Sequence, residues 1–231
     1  MSYFKHEQRG FTTAPRCGDL PGLLAEAKAG GASCSLVPQW DASQEWGLEP
    51  LYHYLDVFIP NEVEALNISG CADIDEAASF FLEKGVGLVV ITRGGNGAFA
   101  ASKRRGGRGG GMADVELSRK KRGEGDGEEG AGGARGDGSI GAGGSGGAGS
   151  GSGGRGGLQL TWEQRCRPVE IVDTTGAGDA FSAGFLHVWK ATGGDVQAAL
   201  RWGCALGTAV VTRTGASPKL SVDEDVRPNL V

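Results

Sequence analysis

The residues best placed to do chemistry lie together at Asp173-Thr174-Thr175-Gly176-Ala177-Gly178-Asp179-Ala180-Phe181. They follow the apolar run Val169-Glu170-Ile171-Val172 and precede a broad apolar stripe from Ala180 to Ala191. That order predicts a strand, a tight turn with two glycines, and a helix opening at Asp179. The unpaired N–H groups at such a helix start form an anion-binding device, and Gly176 and Gly178 let the backbone approach a phosphate closely. A carboxylate is out of place in a site that only binds phosphate, because like charges repel. As a general base, Asp179 would take the proton from a hydroxyl that attacks the phosphoryl group. The bare pattern also reads as a capped helix after a tight turn, with Asp179 only complementing the helix dipole.

Three further segments carry turn or cap chemistry. Asn61-Glu62-Val63-Glu64 follows the short apolar run Val57-Phe58-Ile59-Pro60 and reads as an N-cap with carboxylates in the first helical turn. Thr92-Arg93-Gly94-Gly95-Asn96-Gly97 is a turn between the apolar run ending at Ile91 and Ala98–Ala101, which can pair as a hairpin. Thr212-Arg213-Thr214-Gly215-Ala216 closes the last apolar helix.

The elements that must position these segments alternate between strand and helix. Helices are expected over Pro21–Gly31, Ile74–Lys84 with Asp73 as N-cap, Ala180–Ala191 and Asp195–Thr212, and a helical turn over Leu51–Leu55. Strands are expected near Cys34–Val37, Val57–Ile59, Gly87–Thr92, Ala98–Ala101, Leu158–Trp162 and Val169–Val172. This alternation predicts a three-layer α/β/α domain with a mostly parallel sheet.

Composition sets the bounds. Of 231 residues, 44 are glycine, far above the usual share of about 7%, and most of them fall between Arg104 and Gly157. That tract cannot bury a core and is expected to be a disordered insertion. The expected organisation is an irregular segment at 1–20, a first part of the domain at 21–102, the insertion at 103–157 and a second part at 158–231. A net charge of −5 argues against binding nucleic acid or anionic membrane by bulk electrostatics. The Arg104–Gly110 segment resembles a short RGG element, but nearby acidic residues dilute its charge. The five cysteines show no CxxC spacing and include an odd member, which indicates neither a disulfide framework nor a zinc site and suits a reducing, cytoplasmic setting, with an organelle left open. No stretch approaches the roughly 18 apolar residues of a membrane span.

The nine-residue string from Asp173 to Phe181 resembles the second signature of the ribokinase-like (PfkB) carbohydrate kinases, and Asn61–Glu64, Thr92–Gly97 and Thr212–Ala216 resemble that family's NxxE, TxGxxG and TRxGA elements. The resemblance implies a ribokinase-like fold and an ATP-dependent kinase. In it Asp179 is the catalytic base and the N–H groups of Gly176, Ala177 and Gly178 form an anion hole. Asn61, Thr92, Gly94 and Gly97 would contact nucleotide, as would Cys204, which stands where the family often has an adenine-facing Asn. Glu64 would organise Mg2+ through water. Asp173, Thr175, Val211, Thr214 and Ala216 would hold a monovalent cation such as K+. Around Ser35–Asp41 the chain departs from the family's D-x-N segment, with Val37 in place of the Asp. Nothing resembles the family's N-terminal, sugar-gripping half, so the chain reads as truncated at its N-terminus.

The reading that follows is phosphorylation of a sugar hydroxyl by ATP, with sugar and ATP as partners, no membrane, nucleic acid disfavoured and a homodimer left open. A nucleoside kinase of adenosine type is the alternative within the same fold. A non-catalytic, kinase-like scaffold is the alternative in a different class.

Overall fold

Five strands form one sheet in the order β1-β2-β3-β4-β5, with β1 at Ser35–Leu36, β2 at Val57–Phe58, β3 at Leu88–Thr92, β4 at Ala98–Lys103 and β5 at Gln159–Gln164. This computed structural model describes residues 20–103 and 159–230. The segment expected to be irregular at 1–20, apart from Leu20, and the glycine-rich tract at 103–157, apart from Lys103, lie outside the described residues.

β1 pairs parallel with β2 and β2 with β3, whereas β4 is antiparallel to both β3 and β5. Four of the five strands therefore run one way, and only β4, which follows the hairpin at 94–97, runs against them. β3 reads Leu-Val-Val-Ile because both of its faces are covered, as in any sheet with helices on two sides. Its side chains divide with period two. Val89 and Ile91 join Phe58, Phe99 and Ala101 in one core cluster, while Leu88 and Val90 join Val57, Ile59, Ala98 and Ala100 in the other.

The first cluster is closed by helices α2 (Glu62–Ser69) and α3 (Ile74–Glu83). In α3, Ala77, Ala78, Phe81 and Leu82 are buried along one face, the i, i+1, i+4, i+5 spacing that a helical stripe requires. Phe81 meets Phe58 at 4.9 Å between ring centroids and Tyr52, on the 3-10 turn Glu49–Tyr54, at 5.6 Å. Asp73 caps α3 by accepting from the Glu76 N–H. Helix α1 (Leu20–Ala29) is fastened at its last turn, where Lys28 Nζ lies 2.7 Å from Asp56 Oδ1. The other Asp56 oxygen accepts from the Cys34 N–H and holds the entry to β1.

The second face is covered by α4 (Ala177–Ala191) and α5 (Val196–Val211), the latter capped by Asp195. These two helices pack tightly because small residues face each other. A Cβ at Gly203 would stand 2.8 Å from the Phe181 ring, and one at Gly184 would stand 3.0 Å from the Trp202 carbonyl. The layers are thus helix, sheet and helix, as the alternation of elements predicts.

One expected strand is absent. Residues 165–172 form no ladder, and Ile171 and Val172 are 60% and 58% exposed. Pro168 supplies no N–H, and the N–H groups of Val172 and Asp173 both go to the Val211 carbonyl at the end of α5. The segment enters the turn as an extended connection stitched to a helix end.

Candidate active site

The carboxyl ends of β1, β2 and β3 converge with the N-terminus of α4 on a cleft of about 210 Å³. Its lining includes Gln39 after β1, Asn61 and Glu64 after β2, Thr92 at the end of β3, and Gly176, Gly178, Asp179 and Ser182 on the α4 side. Ligands of open α/β sheets bind in this position, outside the carboxyl ends of the strands. A parallel bridge between Asn61 and Thr92, with the Thr92 N–H donating to the Pro60 carbonyl, sets the spacing of the β2 and β3 ends.

Gly176 and Gly178 do different work. Gly176 has φ +79°, and a Cβ there would lie 2.9 Å from Ala216 Cα and closer still to its carbonyl oxygen. The residue is glycine because the 176 turn is pressed against the 215–216 turn. A Cβ at Gly178 would meet nothing within 4 Å, and the residue lines the cleft. Helix α4 begins two residues before Asp179, at Ala177. The Ala177 N–H donates to the Thr174 carbonyl at 3.2 Å, which removes it from the free set. The N–H groups of Gly176, Gly178 and Asp179 have no acceptor among the described residues, so the donors left for an anion are those three, and the Asp179 amide was not anticipated. The Asp179 side chain is exposed on the cleft. Behind it, Ser182 is 2% exposed and donates its Oγ–H to the Gly178 carbonyl at 2.8 Å.

Opposite lies a complete capping box. Asn61 Oδ1 accepts from the Glu64 N–H at 2.8 Å, and Glu64 Oε2 accepts from the Asn61 N–H at 2.9 Å. Glu64 is 6% exposed. Burial pushes its carboxyl above the ordinary range, partly offset by the Asn61 hydrogen bonds. A buried carboxylate on the wall of an open cleft that Asp179 also lines suits a hard divalent cation. Mg2+ takes one or two carboxylates and keeps its waters, so this donor set fits it without a cluster of ligands; among the described residues no group of three or more His, Cys, Asp or Glu could hold a metal.

The residues expected to hold a monovalent cation come together, but largely to bond one another. Asp173 Oδ1 accepts from the Thr175 N–H and Oγ–H at 2.9 and 2.7 Å, and Oδ2 accepts from the Gly215 N–H at 2.9 Å. These bonds, those from Thr175 first, hold the Asp173 carboxyl down at about 2. The Val211 carbonyl already accepts two N–H groups, which uses both of its lone pairs, so Val211 does not fit as a cation ligand. Ala216 packs on Gly176, and Thr214 lies beside Gly215. The cluster staples the 173–176 turn to the 213–216 turn.

Of the residues expected at a nucleotide, Asn61 and Thr92 line the cleft, whereas Gly94, Gly97 and Cys204 do not. Gly94 and Gly97 bound the 3-10 turn Gly94–Asn96, at φ +55° and +93°. A Cβ at Gly97 would stand 2.8 Å from Arg165 Cα, so Gly97 allows β5 to pass closely. Cys204 is 2% exposed inside the second core cluster and has no surface for a ligand. Gln39 and Ser182 were not singled out. The spacing of Ser182 four residues after Gly178 carries a weak signal, while only the fold brings Gln39 to the cleft.

The open α/β/α sheet with its cleft at a helix start has the fold of solved ribokinases. Residues 158–223 match the model of the pfkB family carbohydrate kinases, and the fold is ribokinase-like. Over 55 residues the chain is 47% identical to an ATP-dependent ribose-1-phosphate kinase of Halopiger xanaduensis, an alignment covering 24% of this chain and 18% of that protein. The fold resembles a fructokinase from Vibrio cholerae solved with fructose, ADP and calcium (TM-score 0.56, 19% identity, 88% of this chain and 53% of that one). It also resembles an aminoimidazole riboside kinase from Salmonella enterica solved with aminoimidazole riboside and an ATP analog (TM-score 0.54, 17% identity, 85% of this chain and 52% of that one). The chain spans about half the length of these solved proteins.

Proposed function

We propose that this chain carries the nucleotide- and phosphoryl-binding part of an ATP-dependent kinase acting on a sugar hydroxyl, with Asp179 as general base. The observation that carries the reading is a single cleft shared by the Asp179 carboxylate, the free N–H groups of Gly176, Gly178 and Asp179, and the Asn61–Glu64 capping box. The N–H groups and the positive end of the α4 dipole stabilise charge on the transferring phosphoryl group. Asp179 takes the proton of the attacking hydroxyl as the new P–O bond forms. Mg2+, bound through Glu64 and water, would neutralise phosphate charge. Catalysis in this scheme is positioning and preorganised electrostatics. The Salmonella neighbour, named for a riboside substrate, supports a nucleoside acceptor as the second reading.

The test measures transfer from ATP to ribose, fructose and adenosine by the wild-type chain and its Asp179→Asn variant, with ATP affinity followed by calorimetry. Asp179→Asn should lower transfer by about 10²–10⁴-fold and leave ATP binding equal or tighter, since Asn keeps the shape and removes a charge that repels the γ-phosphate. Transfer at the wild-type rate would leave Asp179 as a helix-dipole residue only. ATP binding without transfer to any acceptor by the wild type favours the scaffold reading.

A further inference from the structure

Gln39 follows β1 at the edge of the sheet, is exposed, and lines the cleft that Asp179 shares. The proposed chemistry leaves it unused. Several of its neighbours on the cleft wall are already engaged: Asn61 and Glu64 bond each other, Ser182 donates to the Gly178 carbonyl, and Val37 and Ile59 pack in the second core cluster. The Gln39 carboxamide pairs with no protein group among the described residues, so it is available to a ligand. Its place is nevertheless fixed. Pro38 before it is buried and has a locked φ. Trp40 after it stands edge-on to the buried Trp46, with ring centroids 5.9 Å apart and planes at 82°. Asp41 Oδ1 then closes a turn by accepting from the Ser43 N–H and Oγ–H at 2.9 and 2.8 Å. A side chain carried on an anchored backbone loses less freedom when it grips a ligand.

The strand order gives the cleft a direction. From the sheet edge inwards, the carboxyl ends present Gln39 after β1, Asn61 and Glu64 after β2, and Thr92 on β3. Adjacent strands lie about 4.8 Å apart, so the ends of β1 and β3 are separated by roughly 10 Å. In-line phosphoryl transfer puts the attacking and leaving oxygens on opposite sides of the phosphorus. With Asn61 and Thr92 on the nucleotide, the acceptor enters from the β1 side, where Gln39 stands. We propose that Gln39 is a specificity-determining residue for the acceptor, its carboxamide hydrogen-bonding a sugar hydroxyl other than the one that Asp179 deprotonates. This assignment rests on the kinase reading above. A carboxamide both donates and accepts, which matches a hydroxyl, itself donor and acceptor. Towards a phosphate its N–H groups would suit, but its oxygen would face like charge. Being neutral, Gln39 also adds nothing to the negative charge that Glu64 and Asp179 bring to the same cleft.

The test titrates the full chain by calorimetry with a non-hydrolysable ATP analogue and Mg2+, then with ribose, fructose and their monodeoxy analogues, so that no turnover is needed. Gln39→Ala and Gln39→Leu should weaken sugar binding about three- to tenfold, the loss of one hydrogen bond, and leave the affinity for the ATP analogue unchanged. Because the side chain is exposed, both variants should melt near the wild-type temperature. One monodeoxy sugar should bind the wild type more weakly by the same factor and bind Gln39→Leu as well as the parent sugar does, which a merely structural role for Gln39 would not produce. Unchanged sugar affinity in both variants overturns the proposal. So does an equal loss of affinity for the ATP analogue, which would put Gln39 on the nucleotide, and so does a Gln39→Leu protein that still discriminates every deoxy sugar as the wild type does. A wild-type chain that binds neither the ATP analogue nor a sugar overturns the kinase reading together with this one, whereas normal binding of both with Gln39 indifferent overturns this one alone.

Discussion

Two glycines a single residue apart should respond oppositely to the same substitution. Gly176→Ala places a Cβ on a residue at φ +79°, with the Ala216 backbone in the way. The left-handed conformation costs a non-glycine residue about 1–2 kcal/mol, and forcing apart two packed turns adds about 1–3 kcal/mol. Because Asp173 bonds Gly215 across the same junction, the turns cannot part without loss, so the sum of about 2–5 kcal/mol stands. At roughly 2–4 °C per kcal/mol for a domain of this size, the melting temperature should fall by about 4–20 °C. Gly178→Ala meets open space inside the first turn of α4, where alanine is favoured over glycine by up to about 1 kcal/mol. It should melt at or above the wild-type temperature while weakening ATP binding, and Gly178→Val should weaken binding further. Thermal melts followed by circular dichroism, with calorimetric ATP titration of each variant, make the comparison. A Gly176→Ala protein that melts within about a degree of wild type, well under the smallest fall expected, would refute the packing argument. Gly178→Val binding ATP with unchanged affinity would refute the anion site.

Other outcomes follow from single contacts. Glu64→Gln keeps an oxygen for the Asn61 N–H and removes a buried charge, so the melting temperature should hold or rise while the magnesium dependence of ATP binding falls; unchanged magnesium dependence in titrations at varied magnesium would remove Glu64 from the site. The Asp173 carboxyl is depressed to about 2 from an ordinary value of 3.8, so its stabilising contribution is present above the higher value and is lost as pH falls through the lower one. Asp173→Asn should therefore flatten the drop in melting temperature across that acid window, and a slope equal to wild type in a pH series would show that the staple does not depend on ionisation. Asp73→Ala removes the cap of α3 and should cost about 1 kcal/mol in urea denaturation. Phe81→Ala, in the aromatic cluster with Phe58 and Tyr52, should cost about 3–5 kcal/mol in the same assay, and a loss near that of the cap variant would mean the core is loosely packed there.

Local pattern was enough for what depends on near neighbours in the chain. The apolar spacing of Ala77, Ala78, Phe81 and Leu82, the caps at Asp73 and Asn61, and the unbroken run Leu88–Ile91 each state their element directly, because helix and strand periods and cap bonds span only a few residues. The Asp173–Phe181 string likewise announced a helix start. Contacts between distant segments were beyond the reach of such patterns. Val169–Val172 has strand-forming residues, yet it joins no ladder, and the Val172 N–H goes to the Val211 carbonyl at the end of α5. Gly176 and Gly178 look alike in the chain and differ only because Ala216 packs on one of them. Cys204, read as a nucleotide contact, is sealed in the core among residues of distant segments such as Val57 and Phe185, which no spacing rule brings together. Gln39 and Ser182 reach the cleft because a parallel sheet gathers the ends of separate strands and a helix start at one edge. Short-range chemistry was thus legible in the residues themselves, whereas which lone pairs and donors remain available depended on segments meeting in three dimensions.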